Sequence, residues 1–479
     1  MSYLFYFLPE IFILSVLSFV IVLDLFLKES KKNISYYILQ ISLIIVLLYL
    51  FSLLFQKNIS NYELYDISNF TNLFKIFTVL LSIIIFYYSY SYLQRFKIYK
   101  SEYFIILIFG LLGMMIMVSA NHLLILYLGI ELLSLSLYTI IAYNRTSVRS
   151  SEAAVKYYIL GAMSSGFLLF GISLLYGITG SLLYDEISSV IESMNFNNQD
   201  FSTHSIGLIF SLIFILISIA FKFGAAPFHM WIPDVYEGSL TPTTLMISTL
   251  PKVAIFVILI KLTSSIFSSL EIYWSEMILI LAVISVLIGN IIAISQTNIK
   301  RMLAYSTIAN VGFILLGIYT GPENGYEAAL FYTITYTLFT AAVFGLISEI
   351  NIGDSSLEKI DDLGGLNQKF PLMAVMILIV MLSMIGIPPL LGFYAKFYVI
   401  QSLVLSGSTV LAIFAVIMTV IGSFYYLRVI KVIYFDDENT SISPSLYHLI
   451  SYVFVLTLFL LGIFPNLLST IISFAIGNL

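Results

Sequence analysis

The most regular feature of the chain is a succession of long apolar segments separated by short polar ones. The apolar segments run for about 20 residues, the length with which an α-helix crosses the hydrocarbon core of a bilayer. They are continuous rather than alternating, which argues against a transmembrane β-barrel. The pattern predicts an all-α polytopic membrane protein with about 14 transmembrane helices. The predicted spans are residues 3–26, 35–56, 72–93, 103–119, 122–142, 155–176, 205–236, 242–263, 276–296, 301–320, 327–350, 371–402, 408–430 and 447–470.

Two predicted spans, the seventh and the twelfth, are too long for one straight helix, and each contains a glycine–proline break. In the seventh the break covers residues 224–227 and follows Lys222, and in the twelfth it covers 386–392 and precedes Lys396. Proline removes a backbone donor and clashes with the preceding turn. A broken helix is tolerated at membrane depth only where it is buried in protein or lines a wet cavity. We therefore expect broken helices 7 and 12 to lie at functional positions.

The spacing of the two broken spans predicts an internal repeat. They lie five spans apart, and because five is odd, corresponding helices run in opposite directions, as in an inverted repeat. We expect spans 4–8 to match spans 9–13. The predicted organisation is an N-terminal three-helix segment (1–100), a first repeat unit (101–265), a second repeat unit (266–435) and a C-terminal helix (436–479).

Composition agrees with the membrane class, and charge adds an orientation. Hydrophobic residues make up 60% of the chain and charged residues 10%, whereas an average soluble domain is about a quarter charged. Fourteen of the 21 lysines and arginines fall in alternate loops, which the positive-inside rule places in the cytoplasm. Both termini are therefore expected outside.

The sequence argues against several kinds of chemistry on this chain. It has no cysteine, which excludes disulfides, thiolate metal sites and cysteine-held iron–sulfur clusters. It has neither a GxxxxGK[ST] loop nor a GxGxxG sequence opening a helix. No pattern points to nucleophilic catalysis, metal ligation or nucleic-acid binding. We expect no cofactor here, so any reaction that drives transport would lie on another chain.

Four ionisable residues lie in the middle of apolar spans. Glu131 is on the fifth span, and Lys222, Lys252 and Lys396 are on the seventh, eighth and twelfth. An ammonium at the bilayer centre costs roughly 2.5–3.5 kcal/mol on insertion scales, so such charges usually face a partner or a wet path. A lysine whose carboxylate partner moves toward it or away can bind and release a proton near neutral pH. The four residues are predicted to form a chain for stepwise proton transfer.

Each of these residues also has a structural alternative. Glu131 could be a neutral, hydrogen-bonded core residue, and Lys222 could extend its ammonium to the membrane surface. Lys252 and Lys396 could be partners in structural ion pairs.

Two further residues are candidates for a supporting polar axis. Lys156 opens the sixth span, and His229 follows the first break. Imidazole can relay protons near neutral pH. The alternatives are a lysine that reaches the cytoplasmic edge of the membrane and a buried, hydrogen-bonded histidine.

Five segments carry a resemblance to a known family: SEAAVKYYILGAMSSGFLLFGISLLYGITGS (151–181), AFKFGAAPFHMWIPDVYEGSLTPTT (220–244), PKVAIF (251–256), NIKRMLAYSTIANVGF (298–313) and GIPPLLGFYAKFYV (386–399). Across nearly the whole chain the sequence resembles the antiporter-like membrane subunits of respiratory complex I, the NADH-quinone oxidoreductase. KYYILGAMSSG and Lys396 favour the N-type, because M-type subunits carry glutamate on the twelfth span and L-type subunits have a long C-terminal lateral helix.

The resemblance implies a role for each matched residue. Glu131 and Lys222 would form the family's ion pair, Lys252 would be the central relay lysine, and Lys396 would be the terminal site. The two supporting residues would occupy polar-axis positions. The chain would act as a translocase subunit that moves protons, driven by quinone reduction elsewhere in the complex, without redox chemistry of its own.

The resemblance also implies partners and cofactors on other chains. The expected neighbours are M-type and small K- and J-type membrane-arm subunits, together with the lipid bilayer. Quinone, flavin and iron–sulfur clusters would be bound by other subunits. The alternatives are a subunit of a multi-subunit cation/proton antiporter or of a related membrane-bound hydrogenase, and a structural subunit whose charges only hold helices together.

Overall fold

The computed structural model describes residues 7–28, 31–54, 63–194, 203–322, 325–352, 355–437, 442–444 and 449–477. Helices dominate these residues. The first ten are α1 (Leu8–Phe26), α2 (Asn33–Leu53), α3 (Asn69–Arg95), α4 (Glu102–Ser119), α5 (Leu123–Ile141), α6 (Val148–Thr179), α7 (Tyr184–Ser193), α8 (Thr203–Phe223), α9 (Trp231–Gly238) and α10 (Thr241–Lys261). They are followed by α11 (Glu271–Ile294), α12 (Ile299–Tyr319), α13 (Gly325–Glu349), α14 (Leu366–Lys369), α15 (Pro371–Ile385), α16 (Leu391–Leu405), α17 (Thr409–Phe435), α18 (Leu449–Ile463) and α19 (Pro465–Ile476).

The helices confirm the predicted all-α polytopic fold. Within the described ranges, 12 helices are long and apolar enough to cross a membrane, and the bent pair α18 and α19 makes 13 when counted as one span. The remaining predicted span, the broken twelfth, corresponds to α15 and α16, which are apolar but short. The broken seventh corresponds to α8 and α9.

Polar side chains and a glycine determine where several helices begin and end. Ser68, Ser147 and Asn298 accept backbone N–H groups in the first turns of α3, α6 and α12, which satisfies donors that have no partner inside the helix. At the other end of α6, Gly180 takes a left-handed φ of 71°, a conformation that glycine adopts without steric cost.

A small antiparallel sheet interrupts the helical pattern. Strand β1 (Ile350–Ile352) pairs with β2 (Ser355–Ser356) and with β3 (Ile442–Pro444), in the order β2–β1–β3. The polar segment 351–370, which contains β2, also contains the short helix α14. These elements are only two to four residues long, which is too short for a hydrophobic pattern to reveal them.

The last predicted span is not one straight helix. Helices α18 and α19 are bent by 84°, and Pro465 is the first residue of α19. Proline cannot donate a helical hydrogen bond and disfavours the α conformation in the residue before it. The segment 447–470 therefore contains a third proline break, which the apolar pattern alone did not reveal.

The described helices divide into two compact units. The first contains the chain up to Lys222 together with Val253–Trp274, and the second contains Phe223–Lys252 and Ser275–Ile476. The chain thus passes between units just before the first glycine–proline break, within α10 and near the start of α11. The predicted division into a three-helix segment, two repeats and a C-terminal helix remains a prediction.

Backbone-to-backbone packing joins α4 and α5 in the first unit. A Cβ atom on Gly113 would lie 2.7 Å from the Leu133 nitrogen, and one on Gly129 would lie 2.8 Å from the Met117 nitrogen. Small residues allow such close approach between membrane helices. In the second unit α11 and α12 make the same kind of contact, since a Cβ on Gly289 would lie 2.4 Å from the Ala309 nitrogen.

We expect Gly129→Ala to destabilise the protein by about 1–3 kcal/mol, because the added methyl group overpacks a contact between two backbones. The matched control is Gly166→Ala on α6, where nothing lies within 4 Å of the added Cβ. That change should be neutral or stabilising by up to about 1 kcal/mol, the difference in helix propensity. Thermal unfolding of the detergent-solubilised protein measures both, and equal effects would contradict the close packing.

Candidate functional site

The first glycine–proline break leaves a backbone carbonyl free in the second unit. Helix α8 ends at Phe223, and Gly224 takes a left-handed φ of 81°. In a continued helix the Phe223 carbonyl would accept the N–H of Pro227, which has none. The Lys252 ammonium donates to this carbonyl at 2.5 Å. The carbonyl end of a helix carries partial negative charge and therefore stabilises the cation.

Lys252 is enclosed by aromatic rings and backbone. Its side chain is 1% exposed, and its Nζ lies 6.0 Å from the ring centre of Phe223 and 5.4 Å from that of Trp231. These distances permit cation–π attraction. Among the residues that the structure describes, no carboxylate forms an ion pair with Lys252, so its charge is held by neutral groups.

The second break repeats this arrangement. Helix α15 ends at Ile385, and Gly386 has a left-handed φ of 91°. The Lys396 ammonium donates to the Met384 carbonyl at 3.1 Å and to the Ile385 carbonyl at 2.9 Å. The helical partners of these carbonyls would be residues 388 and 389, both prolines without an N–H. Each break thus supplies carbonyl acceptors to a lysine.

Hydroxyl and amide groups lie beside Lys396, and the sequence analysis did not identify them. A cavity of about 10 Å³, lined in part by Lys396, Asn310, Tyr332 and Tyr336, is close to the size that one water requires. The Tyr332 hydroxyl donates to Asn310 Oδ1 at 2.7 Å, and the Tyr336 hydroxyl donates to Thr307 Oγ1 at 2.8 Å. Polar residues three or four positions apart in apolar helices were the available signal.

Lys222, in the first unit, is held by hydroxyl groups rather than by the expected carboxylate. Its ammonium donates to Ser134 Oγ on α5 at 2.8 Å and to Ser165 Oγ on α6 at 3.4 Å. Glu131 lies near enough to interact electrostatically with Lys222. In this structure, which describes both residues, the two make no ion pair, and Glu131 Oε1 is buried without a hydrogen-bond partner. Ser134, one turn from Glu131 on α5, binds the Lys222 ammonium in place of the carboxylate.

The two supporting candidates have different surroundings. Lys156 is about half exposed on α6 and pairs with Glu152 at 2.8 Å. His229, in the segment that links α8 to α9 along the chain, is buried, with its ring 6.5 Å from that of Tyr305 and its Nδ1 without a hydrogen-bond partner. Their assignment to the polar axis remains a prediction.

Two of the sequence segments that carried the resemblance meet at the start of α12. Arg301 donates to Asp234 at 2.8 Å and to Glu237 at 2.9 Å, both on α9. The neighbouring Lys300 donates to the Ser239 carbonyl at 2.8 Å. These two basic residues therefore bind α9 and the residue that ends it.

Two buried ion pairs in the first unit escaped the sequence analysis. Lys75 on α3 lies 2.7 Å from Glu10 on α1, and the Tyr65 hydroxyl, 2.5 Å from Lys75, donates to Glu10 at 2.6 Å. Lys75 stands in the apolar sequence NLFKIFTV. A lysine in such a run was the signal that could have predicted burial.

The second pair joins Lys261, at the end of α10, to Asp66. Their charged atoms lie 2.6 Å apart, and Lys261 also donates to the Val118 carbonyl at 2.7 Å. Burial by itself raises the pKa of the Asp66 carboxyl, but Lys261 and hydrogen bonds from Ser68 outweigh it and hold that pKa below its usual range. This carboxylate is therefore held in its charged form.

Apolar spanning helices, with lysines bound by backbone carbonyls at two glycine–proline breaks, define a multi-pass membrane protein of the antiporter-like class. Residues 120–422 match the family described as NADH:quinone oxidoreductase/Mrp antiporter, transmembrane. Within that class, the chain belongs to the family of NADH-quinone oxidoreductase subunit N.

Relatives and solved structures support this membership over nearly the full chain. The chain is 44% identical over 473 residues to NADH-quinone oxidoreductase subunit N of Thioalkalivibrio sulfidiphilus, covering 98% of this chain and 97% of the relative. A chain of respiratory complex I from Thermus thermophilus with bound aureothin matches with a TM-score of 0.79 and 27% identity, covering 96% and 98%. A chain of the Mrp complex from Dietzia has the same fold, with a TM-score of 0.82 at 20% identity, covering 99% and 97%.

We expect Lys261→Met to cost about 3–5 kcal/mol of stability, because it leaves the Asp66 carboxylate mostly buried and unpaired. Adding Asp66→Asn should recover most of that loss. Since the folded pKa of Asp66 is depressed, the pair's contribution is present above the unfolded pKa and is lost as the pH falls through the folded one. Thermal unfolding at several pH values measures this, with Lys431→Met at an exposed position as control. A double variant no more stable than Lys261→Met would contradict the pairing.

Proposed function

We propose that this chain is the proton-translocating, antiporter-like subunit N of a bacterial NADH-quinone oxidoreductase. It would lie in the inner membrane with both termini outside, beside M-type and small K- and J-type subunits. Quinone, flavin and iron–sulfur clusters would be bound by other subunits. Quinone reduction there would drive proton movement through Glu131, Lys222, Lys252 and Lys396, with Lys156 and His229 in support.

The observation that carries this proposal is the binding of Lys252 and Lys396 by carbonyls at helix breaks. Both ammonium groups donate to neutral backbone oxygens, and no described carboxylate pairs with either. A buried lysine without a counter-ion can exist in both the charged and the neutral form, which a proton carrier requires. By contrast, Lys75 and Lys261, which connect helices of the first unit, are paired with carboxylates.

In this proposal Lys222 receives protons under the influence of Glu131. The carboxylate favours the charged form of Lys222 when the two approach and favours it less when they separate. Movements at the break immediately after Lys222 would change that separation. Protons would pass between the lysines through waters and hydroxyl groups, and the polar groups beside Lys396 would serve the last step.

A second candidate is a subunit of a cation/proton antiporter without a redox partner. The likeness to a chain of the Mrp complex and the shared family description favour keeping it. The full-length similarity to subunit N relatives favours the oxidoreductase.

A pull-down from native membranes in mild detergent, through a C-terminal tag, separates the two candidates. Mass spectrometry and a quinone reductase assay would follow on the eluate. Co-purification of iron–sulfur and quinone-site subunits with activity is expected. Recovery with antiporter subunits alone would overturn the oxidoreductase assignment.

Substitution of Lys222 tests the proton path. Lys222→Ala should lower both quinone reductase activity and coupled pumping while the complex still assembles. Lys222→Arg should also fail, because arginine does not deprotonate in the physiological range. Pumping is measured by quenching of a pH-sensitive dye in inverted vesicles, with the exposed Lys431→Ala as control. Wild-type pumping in either Lys222 variant would contradict the assignment.

A further inference from the structure

The Ser134 hydroxyl acts toward the Lys222 ammonium only as a hydrogen-bond acceptor. Its own hydrogen is donated to the Ile130 carbonyl at 2.8 Å, one turn back along α5. The oxygen is therefore left as an acceptor, and it accepts from the Lys222 ammonium at 2.8 Å. Hydrogen bonds to a charged donor are stronger than those between neutral groups.

Ser134 competes with a carboxylate for the same ammonium. Ser134 and Glu131 are three residues apart on α5, so their side chains leave the same face of the helix about 5–6 Å apart. Lys222 is bound to the serine, while Glu131 Oε1 is buried without a hydrogen-bond partner. A long, flexible lysine side chain can reach either position.

A second serine, on the neighbouring helix α6, also binds the Lys222 ammonium. Ser165 on α6 offers Lys222 a second acceptor at 3.4 Å. Helices α6 and α8 are joined by the contact between the Ser164 and Ser218 hydroxyl groups at 3.0 Å and by the bond from Ser211 to the Gly171 carbonyl at 2.8 Å. Ser165 thus lies on a helix that hydrogen bonds join to α8, the helix that carries Lys222.

We infer that Ser134 is a positioning residue that holds the Lys222 ammonium away from Glu131. The inference rests on the proposed proton path and adds a step to it. With Lys222 on the serine, the lysine is free of its counter-ion and can pass on a proton. With Lys222 on Glu131, the charge is retained. The serine thus makes release possible by offering the ammonium an alternative neutral partner.

The test compares four variants in the assembled complex. Ser134→Ala removes the acceptor and should slow coupled pumping about tenfold, the lower end of the effect of losing one hydrogen bond to a charged group. Ser134→Thr keeps the hydroxyl and should restore pumping, whereas Ser134→Val, of the same shape, should not. Ser136→Ala is the matched control, because Ser136 is buried on α5 and donates only to the Leu132 carbonyl at 2.8 Å.

Combining Ser134→Ala with Glu131→Gln shows whether Ser134 positions the Lys222 ammonium or only packs against it. If Ser134 acts by keeping Lys222 from the carboxylate, Ser134→Ala should add little to the effect of Glu131→Gln. An equal additional slowing in that background, or equal pumping by the threonine and valine variants, would overturn the inference. Threonine and valine decide the matter even when the alanine variant does not assemble.

Different results would overturn the proton path and the positioning role of Ser134. Wild-type pumping by Lys222→Ala would overturn the proton path itself. Loss of pumping in Lys222→Ala together with normal pumping in Ser134→Ala would overturn the role of Ser134 alone.

Discussion

The constraint on which the rest of the structure depends is the need of a buried ammonium for hydrogen-bond acceptors. The hydrocarbon core of a membrane does not supply them. Here the acceptors are main-chain carbonyls, left free because the residue four positions further on is a proline. The carbonyls of Phe223, Met384 and Ile385 bind Lys252 and Lys396 in this way. The helix breaks are therefore part of the lysine sites.

The hydrogen-bond partners of five lysines divide these residues into two kinds. Lys75 and Lys261 are bound by carboxylates at 2.7 and 2.6 Å, which favour the charged form and connect helices. Lys222, Lys252 and Lys396 donate instead to hydroxyl or carbonyl oxygens. A neutral acceptor does not hold a proton on the lysine as a carboxylate does. Lysines of the second kind are those to which a transport role is proposed.

Much of the fold could be predicted from the sequence, because a helix in lipid must be about 20 residues long and apolar. The breaks beside Lys222 and Lys396 were likewise visible, since glycine and proline have strong local effects. What could not be predicted was the pairing of side chains from distant segments. Nothing local indicated that Lys252 binds the carbonyl of Phe223, that Lys261 pairs with Asp66, or that a serine rather than Glu131 holds Lys222. The bend at Pro465 was missed because apolar length was given more weight than a single proline.

The central claim is that lysines bound by helix-break carbonyls change their protonation during turnover. The most direct test is the ratio of protons pumped to electrons transferred by the purified complex in proteoliposomes, with Lys252→Arg compared with wild type. Arginine can still donate to the freed carbonyl but remains charged. The account predicts quinone reduction with a lowered proton-to-electron ratio. An unchanged ratio at wild-type rates would contradict it.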